Sequence, residues 1–187
     1  MLNACAGIHM ASDQNWIARS RAVAEKAGFG ENYPYLGVDD IARRARKTPV
    51  QFLFCHYELE DSVLAQTVTA IRNHAERDVR FMPIIVFSKE SSTTSLKHFL
   101  KMGVDDILIF PCELSYFAAR LSQQISRKLD YFSAGDYFGP DRRRLLADEP
   151  RADNGAGGPY TQYAIQRDPA QGVRILSQSQ HNAKLSA

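Results

Sequence analysis

Short apolar runs alternate with segments of helical periodicity over the first two thirds of the chain. The clearest run is PIIVFS (83–88), which is rich in β-branched residues, and similar runs lie at 50–55 and 105–111. Continuous apolar runs this short are typical of strands that are covered on both faces of a parallel sheet. The alternation therefore predicts an α/β protein with a doubly wound, five-stranded parallel sheet.

The remaining elements follow from the same reading. Two weaker strands are predicted over CAGIHM (5–10) and YPYLGV (33–38). Apolar residues at helical spacing predict five helices, over residues 14–27, 39–47, 60–76, 91–103 and 113–132. The last of these helices has an apolar face formed by Leu114, Phe117, Leu121, Ile125 and Leu129.

The composition changes after residue 133. Pro, Gly, Asp, Asn, Gln and Ser dominate residues 134–187, which predicts a globular domain over 1–133 followed by a polar tail. Within the tail, TQYAIQ and VRILSQ flank RDPAQG in the pattern of a β-hairpin. Two strands alone are marginally stable, so such a hairpin would need to dock on another element.

Composition narrows the class of protein. A net charge of +2 with 44% apolar and 24% charged residues is typical of a soluble protein with a core and argues against nucleic acid as a partner. Three cysteines without paired spacing favour free thiols in a reducing compartment, the cytoplasm, and give no metal-binding motif. No apolar run approaches the about 20 residues of a membrane helix, and the N-terminus lacks a secretory pattern. HMAS (9–12) also has the form of a cloning scar, which would start the native chain near Met10.

Several motifs resemble the receiver domains of two-component response regulators. PIIVFS, the helix after it and GVDDILIFP resemble the fourth strand, fourth helix and fifth strand of that family, and FLFCHYELED resembles its third strand and the following loop. The likeness covers about residues 5–131 and implies a flavodoxin-like receiver fold in a bacterial-type signalling protein. Receivers of this family are phosphorylated on an aspartate after the third strand. Two acidic residues hold a divalent cation, while a hydroxyl and a lysine contact the phosphoryl group.

This sequence departs from that pattern at most of these positions. The acceptor position falls on His56, the acidic pair on Ala11 and Ser12, and the lysine on Phe110, while Ser88 keeps the hydroxyl. An imidazole is a poor ligand for Mg²⁺, and a phenyl ring cannot pair with a phosphoryl oxygen. The resemblance therefore implies a pseudo-receiver without catalytic residues, cofactor or metal. Its degenerate pocket comprises Ser12, Asp13, His56, Ser88, Lys89 and Phe110.

Alternatives remain open within this pocket. We expect His56 to be a polar strand-end residue that bonds to Asp13 or Ser88, although histidine can itself be a nucleophile. A shifted register would bring a carboxylate of the loop at 58–61 into the pocket instead. Lys89 either pairs with Asp13 or is solvated. The resemblance also suggests a cis bond between Phe110 and Pro111.

The segment DYFGPDRRR is the most distinctive part of the tail. Tyr137 and Phe138 offer aromatic anchors, and Arg142, Arg143 and Arg144 offer guanidinium forks for phosphate or carboxylate. This arrangement would suit a cyclic dinucleotide such as cyclic di-GMP, or it is a short basic linker that docks on the last helix.

The sequence therefore predicts a non-enzymatic signalling protein, a stand-alone pseudo-receiver that acts through protein–protein interaction. The alternatives are a cyclic di-GMP-responsive adaptor and an atypical phosphoacceptor receiver. A homodimer is left open. In the family that the chain resembles, the usual partner surface is the face of the fourth helix, fifth strand and fifth helix. Helical phase assigns Lys97, Lys101, Tyr116, Arg120 and Gln124 to this face, together with the tail.

Overall fold

The structure, a computed structural model, describes residues 2–89, 91–141 and 159–182. After a 3₁₀ turn at the N-terminus, strands and helices alternate as the sequence predicts. In chain order they are β1 (Ala6–Met10), α1 (Gln14–Lys26), β2 (Glu31–Pro34), α2 (Val38–Ala45), β3 (Gln51–Cys55), α3 (Asp61–Arg72), α4 (Arg77–Arg80), β4 (Ile84–Ser88), α5 (Thr93–Met102), β5 (Asp106–Ile109) and α6 (Leu114–Ser122).

The first sheet confirms the predicted fold class. Its five strands are all parallel and run in the order β2-β1-β3-β4-β5. Alternate residues of β3 point to opposite faces, so Phe52 and Phe54 pack in one apolar layer and Leu53 and Cys55 in the other. Helices α1 and α6 cover the first layer, and α2, α3 and α5 contribute to the second. The sheet is therefore doubly wound, with a core on each face.

Strand β1 is an inner strand of this sheet. It pairs with both β2 and β3, and all five of its residues are buried. His9 and Met10 are thus part of the buried sheet, and the interpretation of residues 9–12 as a cloning scar stays a prediction.

The second predicted strand is shifted and shorter. β2 covers Glu31–Pro34 rather than residues 33–38, and Gly37, at φ 112°, begins the approach to α2. Leu36, which the apolar pattern assigned to the strand, is 67% exposed. The apolar residues between Pro34 and Val38 therefore belong to a connecting loop. The third predicted helix likewise ends at Arg72, and the separate short helix α4 follows it.

The long helix predicted over residues 113–132 is wrong. Helix α6 ends at Ser122, Ser126 has a positive φ of 59°, and the chain continues as an extended strand from Lys128. Leu121, Ile125 and Leu129 are buried, as the helical pattern predicted, but Leu129 lies in a strand rather than in a helix. Tertiary pairing overrides the helical periodicity here because β-strand partners are supplied by the C-terminal part of the chain.

Those partners form a second, antiparallel sheet. Its strands are β6 (Lys128–Ala134), β7 (Tyr137–Pro140), β8 (Tyr160–Asp168) and β9 (Gly172–His181), in the order β7-β6-β8-β9. The hairpin predicted from TQYAIQ and VRILSQ is confirmed as β8 and β9. It docks by pairing with β6, whose residues extend across the compositional boundary at 133. The division into a domain and a tail stays a prediction.

The second sheet packs on the first domain through a third apolar cluster. Phe81, which precedes β4, contacts the rings of Tyr131, Phe138 and Tyr163 at centroid distances of 5.2–5.7 Å. Ile165 and Val173 complete the cluster. The docking site lies at the amino ends of the parallel strands, since Phe81 comes before β4.

A buried charged network crosses the same interface. The Arg167 guanidinium on β8, which is fully buried, lies 2.6 Å from Asp105 Oδ1. The Arg72 guanidinium on α3 lies 2.6 Å from Asp105 Oδ2. The Tyr131 hydroxyl donates to Asp105 Oδ1. Burial alone would raise the pKa of Asp105, but Arg167 and Arg72 hold it below its usual range.

Two further features concern the whole described chain. The three cysteines, all within it, form no disulfide. None of its helices is long and apolar enough to cross a bilayer.

A degenerate receiver pocket as the candidate functional site

The candidate pocket lies at the carboxyl edge of the parallel sheet, where β1, β3, β4 and β5 end. The side chains that sequence reasoning assigned to it follow these four strands, and the parallel register brings the strand ends together. Asp13 and Lys89 act electrostatically on His56, which places the three side chains near one another. Ser12 is exposed in the loop after β1.

His56 is buried at the acceptor position and is 3% exposed. Its ring packs against Trp16 and Tyr57 at centroid distances of 4.6 and 4.1 Å. Neither ring nitrogen has a hydrogen-bond partner among the described residues, so the expected bond to Asp13 or Ser88 is wrong. Burial lowers the pKa of His56, against the opposing effects of Glu58 and Asp13. The imidazole is therefore held neutral in an aromatic environment.

Asp13, the carboxylate that follows β1, caps a helix. Its Oδ1 accepts a hydrogen bond of 2.8 Å from the backbone N–H of Asn15, in the N-cap position of α1. Arg19 lies 3.8 Å from its other oxygen. An N-cap aspartate satisfies a helix donor that would otherwise have no partner, so this carboxylate already has a structural role.

Lys89 points away from Asp13. Its Nζ lies 3.5 Å from Glu58 Oε1 and 4.2 Å from the centre of the Tyr57 ring. A side-chain bond with Tyr57 and the charge of Glu58 raise its pKa. The expected pair with Asp13 is therefore wrong.

The loop carboxylates do not take the acceptor position. Glu58 is engaged by Lys89, while Asp61 accepts a bond of 2.9 Å from His98 Nε2. Glu58 and Asp61 have side chains 58% and 65% exposed, and Glu60 is also exposed. The shifted register considered above is thus not adopted.

Aromatic rings fill the region that surrounds His56. The Phe87 ring contacts the Trp16 ring at a centroid distance of 5.4 Å and the Phe110 ring at 5.8 Å, both edge-on. Phe110 stands at the lysine position. Ser88 is buried beside them at 5% exposure. The Phe110–Pro111 bond is cis, which confirms that expectation. Trp16 belongs to the helix predicted over residues 14–27, and nothing in its spacing indicates that its ring contacts the acceptor position.

The chemistry available to this pocket is narrow. Within the described residues, no three side chains among His, Cys, Asp and Glu are grouped so as to hold a metal ion. The pocket offers a neutral imidazole, a buried hydroxyl and aromatic surface, with the nearby carboxylates used as a cap and as an ion-pair partner. Mg²⁺ requires several oxygen ligands in octahedral geometry, which this set does not supply.

The tail residues divide between core and surface. Phe138 is only 7% exposed, and the Arg80 guanidinium lies 4.1 Å above its ring, so this phenylalanine is a core residue rather than an open stacking anchor. The Tyr137 hydroxyl donates to the Pro140 carbonyl at 2.7 Å. Arg142, Arg143 and Arg144 lie outside the described residues, and the cyclic di-GMP interpretation that depends on them stays a prediction.

The predicted partner surface is partly present. Tyr116 and Leu114 on α6 are 49% and 40% exposed, and Ile109 on β5 is 36% exposed. Arg120 is tied to Asp106 by a bond of 3.0 Å from its Nε. Gln124 was wrongly placed on the surface: it is 2% exposed and accepts from Arg167.

The comparisons with known proteins rest on structure. No protein-family model matches the chain, and a search of curated proteins found no match. The fold is similar to the chemotaxis response regulator CheY4 of Vibrio cholerae, at 14% identity over 65% of this chain and 98% of that one, with a TM-score of 0.50. It is also similar to a pilus assembly-related protein of Burkholderia pseudomallei, at 15% identity over 66% and 91% of the two chains, with a TM-score of 0.53. A response regulator of Thermotoga maritima matches at 16% identity over 65% and 98%, with a TM-score of 0.50. The five-stranded parallel part of this chain therefore has the fold of a response regulator receiver domain.

Proposed function

We propose that this chain is a non-enzymatic signalling protein whose receiver fold acts through protein–protein contact, without aspartyl phosphorylation. The observation that carries the proposal is the buried, neutral His56, packed between Trp16 and Tyr57 at the place where receivers carry their acceptor aspartate.

The electrostatics of the pocket support this proposal. A phosphoryl group adds close to two negative charges and needs a cation or several donors to stabilise it. Here the carboxylate that could help hold a cation caps α1, the lysine position is Phe110, and Lys89 is engaged by Glu58. A phosphoryl group at His56 would lie against aromatic rings, and the two cations that act on this position, Lys89 and Arg19, are already paired with Glu58 and Asp13.

Phosphorylation can be tested with the intact chain. We expect incubation with acetyl phosphate and Mg²⁺ to give no phosphate adduct by intact mass at neutral pH, while an aspartate-bearing receiver treated in parallel is modified. Because the chain contains a single tryptophan and it contacts His56, its fluorescence should also not change on addition of beryllofluoride and Mg²⁺. A single adduct that disappears in His56→Ala would overturn the proposal and support the atypical phosphoacceptor.

The contact surface can be tested separately. We place it at Ile109 on β5 and at Leu114 and Tyr116 on α6, which are exposed apolar or aromatic side chains. Leu114→Lys combined with Tyr116→Ala should abolish capture of the partner from a native lysate. The control, Leu36→Lys, changes a residue that is 67% exposed on the β2–α2 loop and should leave capture intact. Equal capture by both variants would contradict this surface.

A further inference from the structure

Strand β9 is the open edge of the second sheet. In the described residues β8 is its only strand partner, and every residue from Arg174 to His181 is exposed. Ile175 and Leu176 are 42% and 47% exposed. An edge strand presents a row of backbone N–H and C=O groups that can pair with another strand.

The edge lacks most of the devices that prevent such pairing. Residues 175–180, ILSQSQ, contain no charge, no proline and no glycine. One irregularity is present: Ala164 pairs with Ser177 and Ile165 with Ile175, so Leu176 is the extra residue of a bulge. From Ser177 to His181 the pairing with β8 is regular. This regular, uncharged segment is the part of β9 that can accept another strand.

The opposite edge of the sheet is closed. β7 contains Pro140, which has no N–H, and a Cβ on Gly139 would lie 2.8 Å from Gly103 Cα at the end of α5. The first residues of β9 are also covered, because the Val173 N–H donates to Asp78 Oδ1 on α4 at 2.7 Å. An assembly through this sheet can therefore use only the outer half of β9.

We propose that β9 pairs with β9 of a second copy of this chain, antiparallel about a two-fold axis, to form a continuous eight-stranded sheet. A foreign peptide that extends a sheet is usually selected by pockets for alternate side chains. The edge offers small and amide side chains instead, which hydrogen-bond best with a matching set.

Charge is also consistent with the second copy. In antiparallel registers centred on Ser177, Gln178 or Ser179, residues 177–181 face residues 173–177, 175–179 or 177–181 of the second copy. Arg174 faces this segment only in the first of these registers, where it lies opposite the uncharged Gln180. A two-fold contact is closed because each copy uses the one open edge that the described residues of the second sheet present, so assembly through this sheet stops at the dimer. This inference goes beyond the proposed function and does not depend on it.

Paired charge variants test the contact. Ser177→Lys/Ser179→Lys opposes lysines across the two-fold axis in all three registers, and Ser177→Glu/Ser179→Glu opposes carboxylates. By sedimentation of the full chain at low salt, we expect the wild type to dimerise with increasing concentration and each variant to dimerise about tenfold more weakly. An equimolar mixture of the two variants should recover association, because unlike charges then face each other.

The controls separate this interface from others and from misfolding. Circular dichroism melts of both variants should match the wild type, since the substituted serines are exposed on an edge strand. Leu114→Lys/Tyr116→Lys changes the exposed α6 surface and should leave the dimer intact. A wild type that stays monomeric at all accessible concentrations, a mixture of folded variants that does not associate, or a dimer lost only with the α6 variant would overturn the proposal.

Discussion

Arg167 on β8 and Asp105, just before β5, form an ion pair that is closed to solvent, with the guanidinium 2.6 Å from the carboxylate. Arg167 also donates to the carbonyls of Phe81 and Gln124, at 2.8 and 3.0 Å. The other carboxylate oxygen of Asp105 accepts from Arg72 and from the Ile84 N–H. One carboxylate thus joins α3, β4 and the second sheet, and two cations depend on it.

Removal of that carboxylate should be strongly destabilising. Asp105→Asn leaves two buried guanidinium groups without counter-charge, and breaking a buried ion pair in this way costs about 3–5 kcal/mol. We expect a loss of this size in the free energy of unfolding, measured by urea denaturation. Arg167→Met should cost less, because Arg72 still pairs with Asp105. Arg174→Met, at an exposed arginine of β9, is the matched control and should change little. A loss below about 1 kcal/mol for Asp105→Asn would contradict this account of the network.

Stability should fall as the pH is lowered from about 6.5 towards 4, because of His9. Burial lowers the pKa of His9 to about 4. The hydrogen bond to Asn32 opposes this lowering, and the charge of Arg21 adds a smaller decrease. A histidine with a lowered folded-state pKa binds its proton more readily when unfolded. The contribution of His9 to the stability of the fold is therefore complete above its pKa in the unfolded chain. It is lost as the pH falls towards its pKa in the folded chain. The shift corresponds to roughly 3 kcal/mol.

Urea denaturation between pH 7.5 and 4 measures this loss. His9→Gln keeps a polar group near Ser20 and Asn32 but cannot titrate, so its stability should depend less on pH in that interval. If the pH dependence of this variant equals that of the wild type, His9 is not the source of the loss.

His56→Phe should leave stability unchanged or raise it. The imidazole has two buried nitrogens without hydrogen-bond partners among the described residues, and replacing such a group by an apolar ring removes a desolvation cost. His56→Asp should instead destabilise the fold by about 1–3 kcal/mol, since it buries a carboxylate between Trp16 and Tyr57 without a paired cation. Thermal melts of both variants at pH 7.5 check the order. A more stable aspartate variant would show that the pocket can accommodate negative charge.

Gly103→Ala should cost more than Gly28→Ala. Both glycines have a positive φ, 96° and 100°, so each substitution carries the same left-handed strain of about 1–2 kcal/mol. A Cβ at position 28 meets open space, whereas one at position 103 lies 2.7 Å from the Phe138 carbonyl oxygen on β7. The difference between the two in urea denaturation therefore measures how closely the second sheet approaches α5. Equal losses would mean that this contact relaxes freely.

The parallel sheet could be predicted from the sequence because each buried strand is a continuous apolar run, as in 84–88. The second sheet could be predicted only in part. Apolar and polar residues alternate clearly in TQYAIQ and VRILSQ. The apolar spacing of α6, however, continues through Leu129 in β6, so the helical period does not show where the helix ends.

The sequence predicts which residues stand at the positions of the candidate site, but it predicts their contacts less well. The position of His56 follows from the end of β3, but its neighbours depend on rotamers and on the long-range approach of Trp16. Arg167 was not singled out because a lone arginine in a hairpin reads as a surface charge. Its burial depends on Asp105, which lies 62 residues away in the chain.

The second sheet binds the parallel sheet at the amino end of β4, next to Ile84, and the degenerate pocket lies at the carboxyl end, next to Ser88. For a strand of this length the two ends are about 13 Å apart. The docked sheet and the degenerate pocket therefore lie at opposite ends of the parallel sheet. The two proposed contacts, on β9 and on α6, use different elements of the chain, so we expect a second copy and a protein partner not to compete for the same surface.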